Sequence, residues 1–259
     1  MAVIENDIQN EDLDLRASLL SAFLCVLFGA NAVAIKISLL GLGPFTVAGI
    51  RFSVAAVLIF LWALATKRKI GFFREQLGPL LILSVIFVAQ LSLFYIGLSR
   101  SNASRGTLLA NLQPFFTLFL AHFFISGDQI TWRKFFGIAL GFGGIACVFL
   151  EKPDGGAGDL RIGDPIILAA TFLWAVNAVY IKRVISRFEP YQIVMYQMVF
   201  AAPVFLLGAI LWDRPMVFNP DVKVIGALLY QSVVTATFGF LVWTHLLRRY
   251  GTVASMPLT

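Results

Sequence analysis

The chain has 259 residues, 59% of them hydrophobic and 13% charged, with a net charge of +6. Soluble domains are about 45–50% apolar and about 25% charged, so this composition, with a mean hydropathy of +0.86, excludes an ordinary soluble domain. The Lys and Arg residues fall in short segments between apolar runs, not in a basic arm, which excludes a nucleic-acid reading and fits topogenic charge on a membrane protein.

The first 16 residues form a polar tail. Glu5, Asp7, Glu11, Asp12 and Asp14 stand there against a single Arg16, the reverse of a signal peptide's basic start. Runs of about 20 apolar residues, enough to cross a bilayer, then follow at roughly 17–40, 44–66, 77–98, 103–125, 134–150, 165–182, 190–212 and 222–245. Pro44, Pro79, Pro165 and Pro190 are expected at or near helix starts, where a missing N–H is harmless. Cys25 and Cys147 lie inside apolar runs and read as packing residues. The stretch KPDGGAGDLRIGDP is the longest polar break, and 151–164 is expected to be the loop joining 17–150 to 165–259. Lys and Arg on the side of Arg16, Lys67, Arg68, Lys69, Arg183 and Arg187 outnumber those on the other side, which predicts a cytoplasmic N-terminus.

Sliding the sequence by 146 positions superposes NAVAIK (Asn31–Lys36) on NAVYIK (Asn177–Lys182), Pro44 on Pro190, and Ala55-Ala56 on Ala201-Ala202. The chain therefore reads as an internal duplication. The first copy holds five spans, an odd number, so the second must enter the membrane from the other side. The predicted fold class is an all-α polytopic membrane protein of two inverted five-helix repeats. Ten helices are expected in the full protein, with about eight and the start of a ninth present before the chain ends at GTVASMPLT. Lys36 and Lys182 are expected at or near the ends of their helices, with their stems reaching water.

Three stretches carry a family resemblance: FGANAVAIKISLLGLGPFTVAGIRFSVAA (28–56), LLANLQPFFTLFLAHFFISGDQITWRKFFGIALGFGGIACV (108–148) and LWAVNAVYIK (173–182). Together they resemble the EamA-type transporters of the drug/metabolite transporter superfamily. That family's first-helix pattern ending in lysine is matched by Asn31 to Lys36. Its proline followed seven residues later by arginine is matched by Pro44 and Arg51. Its fourth-helix proline and following acidic turn are matched by Pro114 and Gly127-Asp128, with Asp where the family usually has Glu. The resemblance implies ten helices in two inverted repeats and a carrier of small metabolites in the plasma membrane, and leaves the substrate open.

Ionisable groups inside membrane spans are costly and are functional candidates. Of the fourteen acidic residues none falls near a span centre, which disfavours proton-coupled export of cationic drugs through a first-helix carboxylate. His122 and His245 lie near span ends. Arg51 is the one charge well inside a span, and two readings stand. It snorkels to the outer interface or bonds free carbonyls, or it contacts an anionic group such as a carboxylate. Its repeat counterpart is the neutral Gln197. Pro114 should kink the fourth span and free the carbonyl of Ala110, beside the amides of Asn111 and Gln113. Asn31, Gln90, Trp174, Asn177 and Gln231 complete the candidate substrate site, with Tyr95, Thr235 and Trp243 near it. The amides could equally serve helix–helix bonds.

The sequence thus predicts a secondary membrane transporter, an exporter of small polar metabolites such as amino acids or derivatives. It would work by alternating access at a midplane cavity between the repeats. A channel-like facilitator and, behind it, a membrane-embedded enzyme are the alternatives. The expected location is the bacterial inner membrane, multi-pass, with the N-terminus cytoplasmic. The expected partners are a small-molecule substrate and the lipid bilayer, with a homodimer allowed. No nucleic acid, cofactor or metal is expected.

Overall fold

The fold is taken from a computed structural model, which describes residues 15–71, 73–124 and 157–246 and a few isolated positions between 136 and 144. Apart from those positions the expected fifth span, 134–150, lies outside the described residues, as does the stub after 246. The helices are α1 (Leu15–Ser38), α2 (Pro44–Ala65), α3 (Arg74–Ser99), α4 (Ala103–Ala110), α5 (Gln113–Phe124), α6 (Ala157–Val184), α7 (Pro190–Trp212) and α8 (Val222–Leu229). After α8 the chain continues as a π-helical segment, Tyr230–Gly239. Among the described residues seven helical stretches are long and apolar enough to cross a membrane, with α4 and α5 sharing one. A helix satisfies its own backbone, which is what lets apolar runs stay in lipid. The large apolar side chains left exposed on the outside, such as Leu61 and Leu64 of α2 and Leu207 and Leu211 of α7, form a surface suited to acyl chains.

Helix ends are fixed by local chemistry. α2 opens with Pro44 after an extended Gly43, and its first turn is capped from far away in sequence. The Thr46 N–H and hydroxyl both donate to Oδ2 of Asp213, at 2.6 and 2.8 Å. A carboxylate there meets the positive end of the helix dipole. α7 begins at Pro190, where Gln192 Oε1 accepts from the Glu189 N–H at 3.0 Å.

The packing exchanges one half for the other. α1 lies against α8 and the π segment, and α3 lies against α6; α2 packs on α7; α2 meets the π segment, and α3 meets α7. Swapping α1–α3 for α6–α8 maps each of these pairs onto another or onto itself. The two faces show the same relation. The 39–43 turn pairs with 213–219 through Gly43 N–H to Met216 O at 3.0 Å and Phe218 N–H to Gly41 O at 3.0 Å. At the other end of α2, Tyr191 and Gln192 donate to the Lys69 carbonyl at 2.8 and 3.0 Å, and Tyr196 donates to Ile70 O. The α1–α2 turn and its counterpart at 185–189 therefore sit at opposite ends of the bundle.

Three expectations are corrected. α6 begins at Ala157, inside the stretch expected to be loop, so Asp164 is helical and Pro165 lies within a helix. Pro79 likewise falls inside α3, more than a turn past its start. Lys182 does not reach water: it is buried, 6% exposed, and the chain turns at its helix end through Ile185 and Phe188, which are buried as well. Lys36 is half-buried, as its place near the end of α1 suggests.

Candidate functional site

The fourth span breaks in its middle. α4 ends at Ala110 and α5 starts at Gln113, with Asn111 and Leu112 in a turn. Pro114 has no N–H to donate to Ala110 and its ring crowds that carbonyl, and here the helix breaks where at Pro79 and Pro165 it runs on. The expected kink is thus a full interruption, and it turns Asn111 and Gln113 into a cavity of about 360 Å3. Ligand cavities commonly measure about 300–1,000 Å3. The walls come from both halves: α1 contributes Phe28 and Asn31, α2 contributes Arg51, and α3 contributes Leu91 and Phe94. α6 adds Trp174, and the stretch after the π segment adds Phe240 and Trp243.

Arg51 does not snorkel. It is 2% exposed and points inward. Nη1 donates to the Tyr95 hydroxyl at 3.1 Å, and the guanidinium carbon lies 5.1 Å from the Phe52 ring centre and 5.9 Å from that of Phe240. Nε is buried with no hydrogen-bond partner. The Tyr95 hydroxyl in turn donates to Gln231 Oε1 at 3.4 Å. Gln231 Nε2 donates to Ser38 Oγ at 2.7 Å and to the Ala34 carbonyl at 3.1 Å. One chain of neutral partners thus ties α2, α3, the π segment and α1 together behind the cationic group.

The structure gathers Asn31, Arg51, Asn111, Gln113, Pro114 and Trp174 at the cavity. Three other candidates stand apart from its lining. Gln231 is fully buried in the helix–helix chain just described. Asn177 accepts from Gln197 Nε2 at 3.2 Å, so the counterparts of Asn31 and Arg51 bond each other instead of facing open space. Gln90 is buried, with Oε1 unpartnered. Asn31 is both wall and strut, since its Oδ1 lies 3.0 Å from the Thr235 hydroxyl. Thr235 belongs to the π segment, where Thr237 also bonds back five residues to the Ser232 carbonyl at 2.8 Å. π segments occur often at functional sites; no composition signal marks this one. Among the wall residues that sequence reasoning missed are Cys25, Phe28, Leu91, Phe94, Thr107 and Phe240. All are apolar or weakly polar groups in an apolar run, indistinguishable there from packing residues.

Arg105 and Asp164 form an ion pair, Nη2 to Oδ2 at 2.5 Å, which lies outside the cavity wall. No cluster of metal-ligating side chains occurs among the described residues.

Comparison with known proteins agrees with this architecture. The chain is 27% identical to an Escherichia coli protein named "probable amino-acid metabolite efflux pump", with 93% of this chain and 81% of that one covered. It is 28% identical to a Salmonella typhimurium protein of the same name at the same coverage. An uncharacterized transporter of Archaeoglobus fulgidus is 25% identical over 90% of this chain and 80% of its own. A solved crystal structure shares the fold with a TM-score of 0.68 at 16% identity, covering 93% of this chain and 83% of that one. The protein is a transporter, not an enzyme, and a multi-pass protein of the inner membrane. The profile of the EamA-like transporter family matches residues 15–150 and 161–259, and the chain belongs to that family.

Proposed function

We propose that this protein is a secondary carrier that exports small polar metabolites, amino acids or their derivatives among them, by alternating access. The observation that carries the reading is Arg51, a cationic side chain buried against the cavity and held by neutral partners. A charge at the centre of a membrane helix costs roughly 2.5–3.5 kcal/mol on insertion scales. A fold that keeps one at a cavity wall gains when a ligand supplies the counter-charge. Two relatives named for amino-acid metabolite efflux support the substrate range.

The exchange symmetry of the packing supports the mechanism. Two halves of one design in opposite orientation offer an inward-open and an outward-open state of similar energy. The face bearing Lys67, Arg68, Lys69, Arg183 and Arg187 is the cytoplasmic one by the positive-inside rule, which puts the start of α1 there as well. With no acidic residue at the cavity among the described residues, uniport or weak coupling is the expected mode. The test is counterflow in proteoliposomes loaded with amino acids. Saturable exchange, accelerated by solute on the far side, is expected. Flux that rises linearly with concentration and shows no counterflow would make the protein a channel.

A further inference from the structure

Resting on the carrier reading above and ranking the solutes within it, we infer that the cavity prefers, over the zwitterionic amino acids themselves, derivatives that are organic monocarboxylates with an aryl or similarly bulky apolar body, bound as net anions.

The charge count comes first. The guanidinium of Arg51 spends one N–H on a phenol and keeps a buried Nε–H without a partner. No Asp or Glu lines the cavity among the described residues, so its lining is net positive. One carboxylate neutralises it. A zwitterion brings an ammonium as well, which finds no carboxylate there and is repelled by Arg51. Ring faces could attract an ammonium, but of the cavity rings Phe240 is already shared with the Arg51 guanidinium, and a contact with any of the others leaves the Arg51 charge uncompensated, whereas a carboxylate removes it.

The walls decide the rest of the molecule. Five rings, Phe28, Phe94, Trp174, Phe240 and Trp243, surround the space. Phe94 and Trp174 meet edge to face with centroids 5.8 Å apart, and Phe28 and Phe240 are 5.8 Å apart and tilted. Such a box favours a further ring placed edge-on or offset. Phe240 touches both the box and the guanidinium, so the carboxylate and the apolar body of one small molecule fit side by side.

Three probes that share a phenethyl body and differ in charge test this on the reconstituted protein: 3-phenylpropanoate, L-phenylalanine and 2-phenylethylamine. The expected order of affinity is anion, then zwitterion, then cation, with about tenfold or more between the first two, as for a lost charge–charge contact. Arg51→Gln places in the first half what the second half carries at Gln197. It should weaken 3-phenylpropanoate about 30-fold or more and level the three probes. Arg51→Lys should restore the order at lower affinity, which separates lost charge from lost fold. Equal or better binding of 2-phenylethylamine, or an Arg51→Gln protein that still prefers the anion, overturns the inference. Counterflow of other solutes with none of the probes bound also overturns it while leaving the carrier standing. Absence of saturable exchange with any solute removes the carrier itself.

Discussion

Arg51 Nη1 donates to the Tyr95 hydroxyl at 3.1 Å, and neither side chain is more than 2% exposed. The phenol is polarised in one sense, since it accepts from the cation and donates onward to Gln231. That fixes where the guanidinium points. Tyr95→Phe keeps the ring and removes the acceptor. A buried donor left without a partner costs about 1–3 kcal/mol. The expected outcome is a lower thermal midpoint in detergent and a KM raised about tenfold with kcat less affected. An unchanged KM for every transported solute would remove Arg51 from the binding site.

The broken fourth span makes a second prediction. Asn111 and Gln113 face the cavity at the interruption, so Asn111→Ala and Gln113→Ala should lower transport severalfold while the thermal midpoint stays within a few degrees. Gln231→Ala should behave in the opposite manner. It removes the amide shared by Ser38, the Ala34 carbonyl and Tyr95, and should cost about 1–3 kcal/mol of stability. Thermal melts and counterflow rates measured on the same preparations separate the two classes.

What could be read in the sequence follows physical scale. Apolar runs of membrane length, the NAVAIK and NAVYIK copies and the break at Pro114 are local signals, and the structure repeats them as α1, α6 and the α4–α5 interruption. The cavity was legible where a polar group stood alone in an apolar run, as with Asn31, Asn111, Gln113 and Arg51. It was not legible where such a group is turned wholly to a partner on another helix and away from open space. Asn177 and Gln231 have the same composition signal as Asn31, yet their partners, Gln197 and Ser38, are brought to them only by tertiary packing. The direction of Arg51 was undecided for the same reason: snorkelling and inward pointing differ in whether Tyr95, 44 residues away, reaches it. Asp164 looked like a loop residue because it lies in the polar break KPDGGAGDLRIGDP, whereas α6 begins at Ala157 and carries Asp164 and Pro165 within the helix.

The face where 39–43 pairs with 213–219 depends on a residue without a side chain. A Cβ on Gly41 would lie 2.0 Å from the Asn219 carbonyl oxygen, a backbone atom that cannot step aside. Gly41→Ala should therefore part the two loops, breaking the bonds from Phe218 and Asn219 to the Gly41 carbonyl. A loss of roughly 2 kcal/mol or more is expected from overpacking, read as a fall in thermal midpoint. Gly29→Ala serves as the control, because nothing lies within 4 Å of a Cβ there.

Asp164 and Arg105 supply the last prediction. The carboxylate accepts from Arg105 Nε at 2.8 Å through Oδ2 and from the Ser101 hydroxyl at 2.7 Å through Oδ1. With side-chain exposures of 11% and 2%, the pair is shielded from bulk water and from salt. Removing one partner leaves the other charge buried, which typically costs about 3–5 kcal/mol. Asp164→Ala should therefore lower the thermal midpoint sharply, by a margin that added salt does not change. The double variant Asp164→Leu with Arg105→Met buries neither charge, and should recover most of the loss, because a buried ion pair contributes little over apolar groups of similar size. Since neither residue lines the cavity, the surviving folded protein should keep its KM in both variants. A raised KM in the double variant would mean that this pair, at the junction of the fourth span and α6, takes part in the conformational cycle as well as in stability.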